Sequence, residues 1–205
     1  MQYFVGKPAG LIPVSLVNPK IAGKDRTLMG KESESKGEEK TMDGKLRNMT
    51  SIYLSNGNQM LLLFRQGGRV VNNLWTGSAG GHFEEFELND ARACVLRELK
   101  EELGINETAL ENLALRYITL RRTRGEIRQN YYFFAKLAKD ADKPITSKEG
   151  ICKWFEYSEL PALEMPYTAK FVIAHYLETG HRTDALYVGV ADGGTVIFTE
   201  LPEFK

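Results

Sequence analysis

Residues 80–105 constrain this chain more than any other stretch. A Gly80-Gly81 turn leads into a helical pattern that carries Glu98, Glu101 and Glu102. On a helix these stand at i, i+3 and i+4, so three carboxylates share one face. Like charges at that spacing repel, and a divalent cation removes the repulsion; hard oxygen donors suit magnesium or manganese. The helix is expected from about Asp90 to Leu103, with Asn89 or Asp90 as N-cap and Gly104 as its stop. Ala91, Val95, Leu99 and Leu103 repeat at core-facing spacing. The segment therefore has to pack one stripe on a core while it presents acids to something else.

The flanking patterns supply that core. Ser51–Leu54 and Gln59–Arg65 alternate as strands around Asn56-Gly57, a strong hairpin signal. Asn72–Ser78 is a short strand or loop that enters the glycine turn. Leu115–Arg122 and Ile127–Leu137 form a second hairpin around Arg124-Gly125, and Cys152–Tyr157 is a short strand. Glu159–Leu163 reads as a helical turn, and Tyr167–Leu177 as a second helix that ends before Gly180. Ala185–Val190 and Thr195–Leu201 flank Asp192-Gly193-Gly194, so a C-terminal β-hairpin is expected, either covering a sheet edge or building a dimer contact. Strands interleaved with two helices place the chain in the α/β (α+β) class, as a mixed sheet sandwiched between helices. Residues 1–22 could hold one or two short strands, interrupted by three prolines. Residues 23–47 are charged, glycine-containing and free of aromatics, as in a solvated linker or an arm that adds to a sheet edge. The expected division is an N-terminal extension and charged linker over 1–47 and a domain over 48–205.

Charge and cysteine content exclude other classes. Lys and Arg number 27 against 27 Asp and Glu, so the net charge is zero. That argues against a protein that coats nucleic acid or an anionic membrane. No apolar run spans a bilayer, and the short apolar stretch from Gly10 to Val17 lacks a basic flank and a cleavage site. Cys94 and Cys152 have no metal-ligand spacing and read as buried free thiols of a reducing, cytoplasmic compartment.

Glycines before a helix admit close approach of a ligand, and the helix start favours an anion such as phosphate. Acids downstream can hold metal against that phosphate, and a carboxylate can orient or deprotonate a water. This combination suits pyrophosphate chemistry. The segment resembles the Nudix (MutT-like) box, G-x5-E-x7-R-E-U-x-E-E-x-G-U. Gly81, Glu87 and the run Arg97-Glu98-Leu99-Lys100-Glu101-Glu102-Leu103-Gly104-Ile105 supply its defined positions. One departure stands out: nine residues, not seven, separate Glu87 from Arg97. The partner of Arg97 is therefore open between Glu87, Glu84 and Glu85.

The resemblance implies a Nudix-type fold and magnesium- or manganese-dependent cleavage of a nucleoside diphosphate derivative. It further implies that Glu101 and Glu102 bind metal, that Glu98 is a ligand or base, that the Gly80 or Gly81 carbonyl adds a ligand, and that a later acid contributes. Glu149 is the first candidate for that acid and Glu126 the second. Arg97, Glu98, Glu102 and Glu149 are thus the expected catalytic group. Arg65, Trp75, Arg122, Gly80 and Gly81 are the expected substrate contacts, with Arg69, Arg121, Arg124 and Arg128 as further cations. Tyr53, Trp75, Tyr131 and Tyr132 could stack on a base, although core packing is the commoner use of such residues.

The run Leu74–His82 is also similar to isopentenyl diphosphate isomerases. Gly80 stands where those enzymes carry a cysteine, and His175 and His181 fall late in the chain, which argues against that chemistry. His82 is expected near phosphates, not on a metal. The best expected substrate is a nucleoside triphosphate, oxidised ones included, yielding monophosphate and pyrophosphate. Alternatives are a dinucleotide, a nucleotide sugar, a non-nucleotide diphosphate, or a non-enzymatic nucleotide sensor. A homodimer is left open, and neither a membrane nor a stable nucleic-acid partner is expected.

Overall fold

The computed structural model describes residues 44–66, 73–138 and 144–204. The strands expected within 1–22, nearly all of the charged linker, and Arg69 lie outside the described residues. Eight strands form one mixed sheet: β1 (Leu46–Asn56), β2 (Gln59–Arg65), β3 (Leu74–Thr76), β4 (Leu110–Thr123), β5 (Glu126–Leu137), β6 (Gly150–Glu156), β7 (Tyr187–Ala191) and β8 (Val196–Glu200). Among the described residues two α-helices accompany it, α1 (Ala91–Leu103) and α2 (Tyr167–Glu178). β1 opens at Leu46, ahead of the expected domain start at 48 and well ahead of the strand expected at Ser51. The order is β3-β2-β1-β5-β4-β7-β8, with β6 also pairing with β2. β1–β5 and β4–β7 are parallel; the remaining pairs are antiparallel.

Strand alternation divides the core in two. Ile52, Leu54, Leu61, Phe133 and Ala135 face α1, where they meet Val95 and Leu99. Tyr53, Met60, Leu62, Tyr132 and Phe134 face the other way and meet Ala169, Val172 and Ile173 of α2. Val95 and Leu99 are fully buried, and each stabilises the docking of α1 by about 1.5–3 kcal/mol. Asp90 caps α1 by accepting from the Ala93 N–H at 2.9 Å, and Gly104 closes it at φ 68°. Both ends are where the sequence pattern placed them.

One irregularity positions the site. β1 and β2 pair only between 54–56 and 59–61, next to their turn. Beyond that point they splay, and the loop after β3 enters the gap. The Ile52 N–H donates to the Ala79 carbonyl at 2.9 Å, and the Thr50 N–H to the Gly81 carbonyl at 2.8 Å. The buried Ser78 hydroxyl accepts from the Leu54 N–H at 2.9 Å and donates to the Leu61 carbonyl at 2.6 Å. It ties together the two strands that the loop separates.

Candidate active site

The wedged loop has room for no side chain at its glycines. Gly80 sits at φ 149°, and a Cβ there would strike the Thr50 carbonyl oxygen. A Cβ on Gly81 would strike the Glu98 carboxylate. The loop is therefore pressed between β1 and the acidic face of α1.

Arg97 organises one half of that face. Its Nε and Nη2 grip Glu87 at 2.7 and 3.0 Å, while Nη1 reaches Glu98 at 2.9 Å and Glu101 at 3.0 Å. Nη2 also donates to the His82 carbonyl at 3.0 Å. Glu87 is thus the hydrogen-bonded partner of Arg97, while Glu84 lies only at ion-pair distance, 3.9 Å from Nη1. A 3-10 turn over Glu85–Glu87 and the turn after it absorb the two extra residues. Glu87 is buried, and the guanidinium holds its carboxyl below the usual carboxylate range. Burial pushes the Glu98 carboxyl up, against the opposing pull of Arg97.

Arg65, at the end of β2, organises the other half. One Nη2 lies 2.5 Å from Glu102, 2.7 Å from Glu149 and 3.3 Å from the Gly80 carbonyl. The Gly80 N–H donates to Glu102 at 3.1 Å. Burial, and then the neighbouring Glu149, raise the Glu102 carboxyl well above its ordinary range, although Arg65 opposes the shift. Glu149 is therefore beside the acids of α1. Glu126 is not: it pairs with Arg128 at 2.7 Å and Arg47 at 3.5 Å.

Among the described residues, no three acidic, histidine or cysteine side chains converge as a ready metal site. Glu98 and Glu101 turn to Arg97, and Glu102 to Arg65. The donor chemistry nevertheless fits a hard divalent ion. Glu98, Glu101, Glu102 and Glu149 share two arginines, Arg97 and Arg65, which leaves a surplus of carboxylate charge that magnesium or manganese would make good.

A pocket of about 280 Å³ adjoins this cluster, with Arg65 and Gly80 in its wall. Tyr53, Tyr132, His82, Asn130 and Thr168 also line it. The Asn130 amide donates to Tyr132 at 3.2 Å and Thr168 at 3.3 Å, and those hydroxyls lie 2.8 Å apart. Three expected contacts are absent from the pocket wall; Gly81 lies against Glu98. Trp75 packs on Phe64 and Phe155, at ring distances of 4.9 and 4.6 Å, and belongs to the core on the α2 side. Arg122 is exposed and absent from the pocket wall, whereas Arg121 lines it. Tyr131 leans on Phe83 on the α1 side. Asn130 and Thr168 carried no expectation from sequence; an amide just before the aromatic run Tyr131–Phe134 was the available signal. Cys94 is buried and its thiol is pushed up to about 11, so it is an inert thiol.

The sheet, the glycine wedge and the acidic helix together define a Nudix-type hydrolase site. The family model of the NUDIX domain matches residues 45–176, and the chain belongs to that family. It is a Nudix hydrolase, of a family that acts on diphosphate bonds of nucleotide derivatives. Its fold is similar to the mutator MutT protein of Bacillus halodurans (24% identity, 77% of this chain and 99% of that one, TM-score 0.52). It is also similar to a MutT NUDIX hydrolase of Burkholderia pseudomallei (21%, 63% and 97%, 0.51). A C. elegans Ap4A hydrolase shares the fold as well (18%, 68% and 99%, 0.52). No curated protein matches the sequence. No described helix is long and apolar enough to cross a membrane.

Proposed function

We propose that this chain hydrolyses the pyrophosphate bond of a nucleoside 5′-diphosphate derivative, with nucleoside triphosphates, oxidised ones included, as the first substrates to test. The observation that carries the reading is the shared wall. Arg65 and Gly80 belong both to the acid cluster and to a pocket with a polar, aromatic floor. Water adds to phosphorus, the anhydride P–O bond breaks, and a triphosphate yields nucleoside monophosphate and pyrophosphate.

Glu98, Glu101, Glu102 and the Gly80 carbonyl, which faces Arg65, would hold magnesium or manganese, whereas the expected Gly81 carbonyl is taken by the Thr50 N–H of β1. The ion would supply charge neutralisation on the phosphates and a lowered water pKa. Glu98, desolvated beside Gly81, would serve there as a ligand or as the base that takes a proton from the attacking water. Arg97 holds Glu98 and Glu101 in position from behind. Glu149 adds a carboxylate from the loop before β6. Arg65 is the cation that meets substrate phosphate when it releases Glu102. The pocket volume sits at the low end for small-ligand sites, roughly 300–1,000 Å³, and suits one nucleoside.

A nucleoside diphosphate linked to a further moiety is the second reading. Arg47, Arg121 and Arg128 in the pocket wall favour it where that moiety is anionic, because a triphosphate keeps all its charge at one end.

Phosphate and pyrophosphate release over a substrate panel, with and without magnesium, tests the reaction. Turnover that requires the metal is expected. Binding without turnover on every substrate would leave only a sensor. Glu102→Gln is expected to lower turnover by roughly 10²-fold or more, with an unchanged circular dichroism spectrum. Near-wild-type turnover in that variant would remove Glu102 from the mechanism.

A further inference from the structure

The sheet face under the pocket is laid out in rows. Arg47, Arg128 and Arg121 stand directly opposite one another across β1, β5 and β4. In the next row but one along the strands stand Met49, Asn130 and Thr119. Directly opposed residues share a face, so three guanidiniums project side by side, strands about 4.8 Å apart. All three line the pocket.

Like charges opposite one another destabilise a sheet. Here Glu126 answers Arg128 and Arg47. Arg121 has no carboxylate partner among the described residues and lies over the Tyr167 ring, 5.9 Å from its centre. Among the described residues, three guanidiniums against one carboxylate leave a positive excess at this end.

Two further observations point the same way. The 12-residue helix α2 begins here behind Pro166, with no side-chain cap, and Thr168 and Ala169 of its first turn line the pocket. Its unpaired N–H groups favour an anion. The Tyr53 hydroxyl, on a residue only 1% exposed that lines the same pocket, has no hydrogen-bond partner among the described residues. The Asn130 Oδ1 is likewise buried without a partner among them. Buried polar atoms without partners are costly, and ligand groups can satisfy them.

The acids lie at the opposite end. Gly80 abuts Thr50 and Ser51 of β1, and Ser51 is four residues from Arg47, roughly 13 Å along the strand. A substrate with its scissile bond at Glu98 and Glu102 and a neutral base at the far end would leave the arginine row unanswered.

We infer that the preferred substrate carries a second anionic group, a phosphate monoester on its nucleoside part, held by Arg47, Arg121 and Arg128 at the end of the pocket remote from the acids. The inference rests on the proposed reading of this pocket as the nucleotide site. Charge-assisted hydrogen bonds supply the selectivity, and a neutral floor of Tyr53 and Asn130 separates the two charged ends.

Calorimetric titration of the full chain, in magnesium, with AMP, adenosine 2′,5′-bisphosphate and adenosine 3′,5′-bisphosphate tests it without turnover. At least one bisphosphate is expected to bind roughly 10- to 100-fold tighter than AMP, as one such hydrogen bond to a charged group warrants. The ratio is expected to collapse in Arg121→Gln, to be partly retained in Arg121→Lys, and to shrink as salt rises. Arg121 has no ion pair among the described residues, so its variants are expected to keep the fold; an unchanged melting temperature checks this. Equal affinities for all three ligands, or a ratio that survives Arg121→Gln, would overturn the inference. A bisphosphate preference with no hydrolysis of any panel substrate would keep the anion row and reject the hydrolase reading. Hydrolysis with no preference would do the reverse.

Discussion

Arg97 is the residue on which the site turns. It touches Glu87, Glu98 and Glu101 at once, and its bidentate partner Glu87 is wholly enclosed. Glu87→Gln weakens the two charge-assisted hydrogen bonds in the enclosed position and leaves Arg97 with Glu98 and Glu101, so it is expected to cost roughly 2 kcal/mol at neutral pH. The pH dependence has a defined sign. Glu87 has a lower carboxyl pKa folded than unfolded, so its stabilisation is fully present above the unfolded value and is lost as pH falls through the folded one. In urea titrations, the gap between wild type and Glu87→Gln should be constant above about pH 5 and close progressively below it. A gap that ignores pH would show that the carboxylate charge contributes nothing. Sequence left this pairing open for a physical reason. Glu84, Glu85 and Glu87 lie within four positions, and the geometry of a single 3-10 turn decides which of them points inward.

At the level of elements, the wedge between β1 and β2 sets the positions of the glycines. Ser78→Ala would strand the Leu54 N–H and the Leu61 carbonyl in the core, at about 2 kcal/mol or more. It should also lower turnover, because the same loop carries Gly80 to Glu102. Denaturant midpoints and initial rates check both effects; a variant with the loss of stability but full activity would uncouple the wedge from the site. Helix α1, its caps and the hairpins were legible because periodicity and turn chemistry are local. The pocket face of β4 was not. Leu113 and Leu115 face α1, whereas Tyr117 faces α2. Register shifts around 111–114 and 115–117 change which face odd positions occupy. Alternation carried forward from Leu115 puts Arg122 in the pocket; the bulge puts Arg121 there instead.

Across the whole domain, the family match ends at residue 176, but the cooperative structure does not. β7 pairs in parallel with β4, and Tyr187 and Val196 are buried, so the C-terminal hairpin covers the β4 edge. Arg116, itself buried, donates to the carbonyls of Gly180 at 2.8 Å and Ala185 at 3.1 Å, and to that of Thr183. Deleting residues 183–205 would therefore do more than shorten a tail. It would open β4 as an unpaired edge, expose Tyr117 of the aromatic cluster, and remove two of the three carbonyl partners of a buried guanidinium. An open edge invites intermolecular pairing, and an under-satisfied buried charge destabilises the fold that remains. The shortened chain is expected to lose cooperative thermal unfolding and to aggregate, as read by calorimetry and light scattering. A truncated, monomeric chain that melts within about 4 °C of the full one, the shift expected for ~1 kcal/mol, would show that the edge and Arg116 are supported by other contacts. The hairpin would then be an addition to the catalytic domain instead of part of its core.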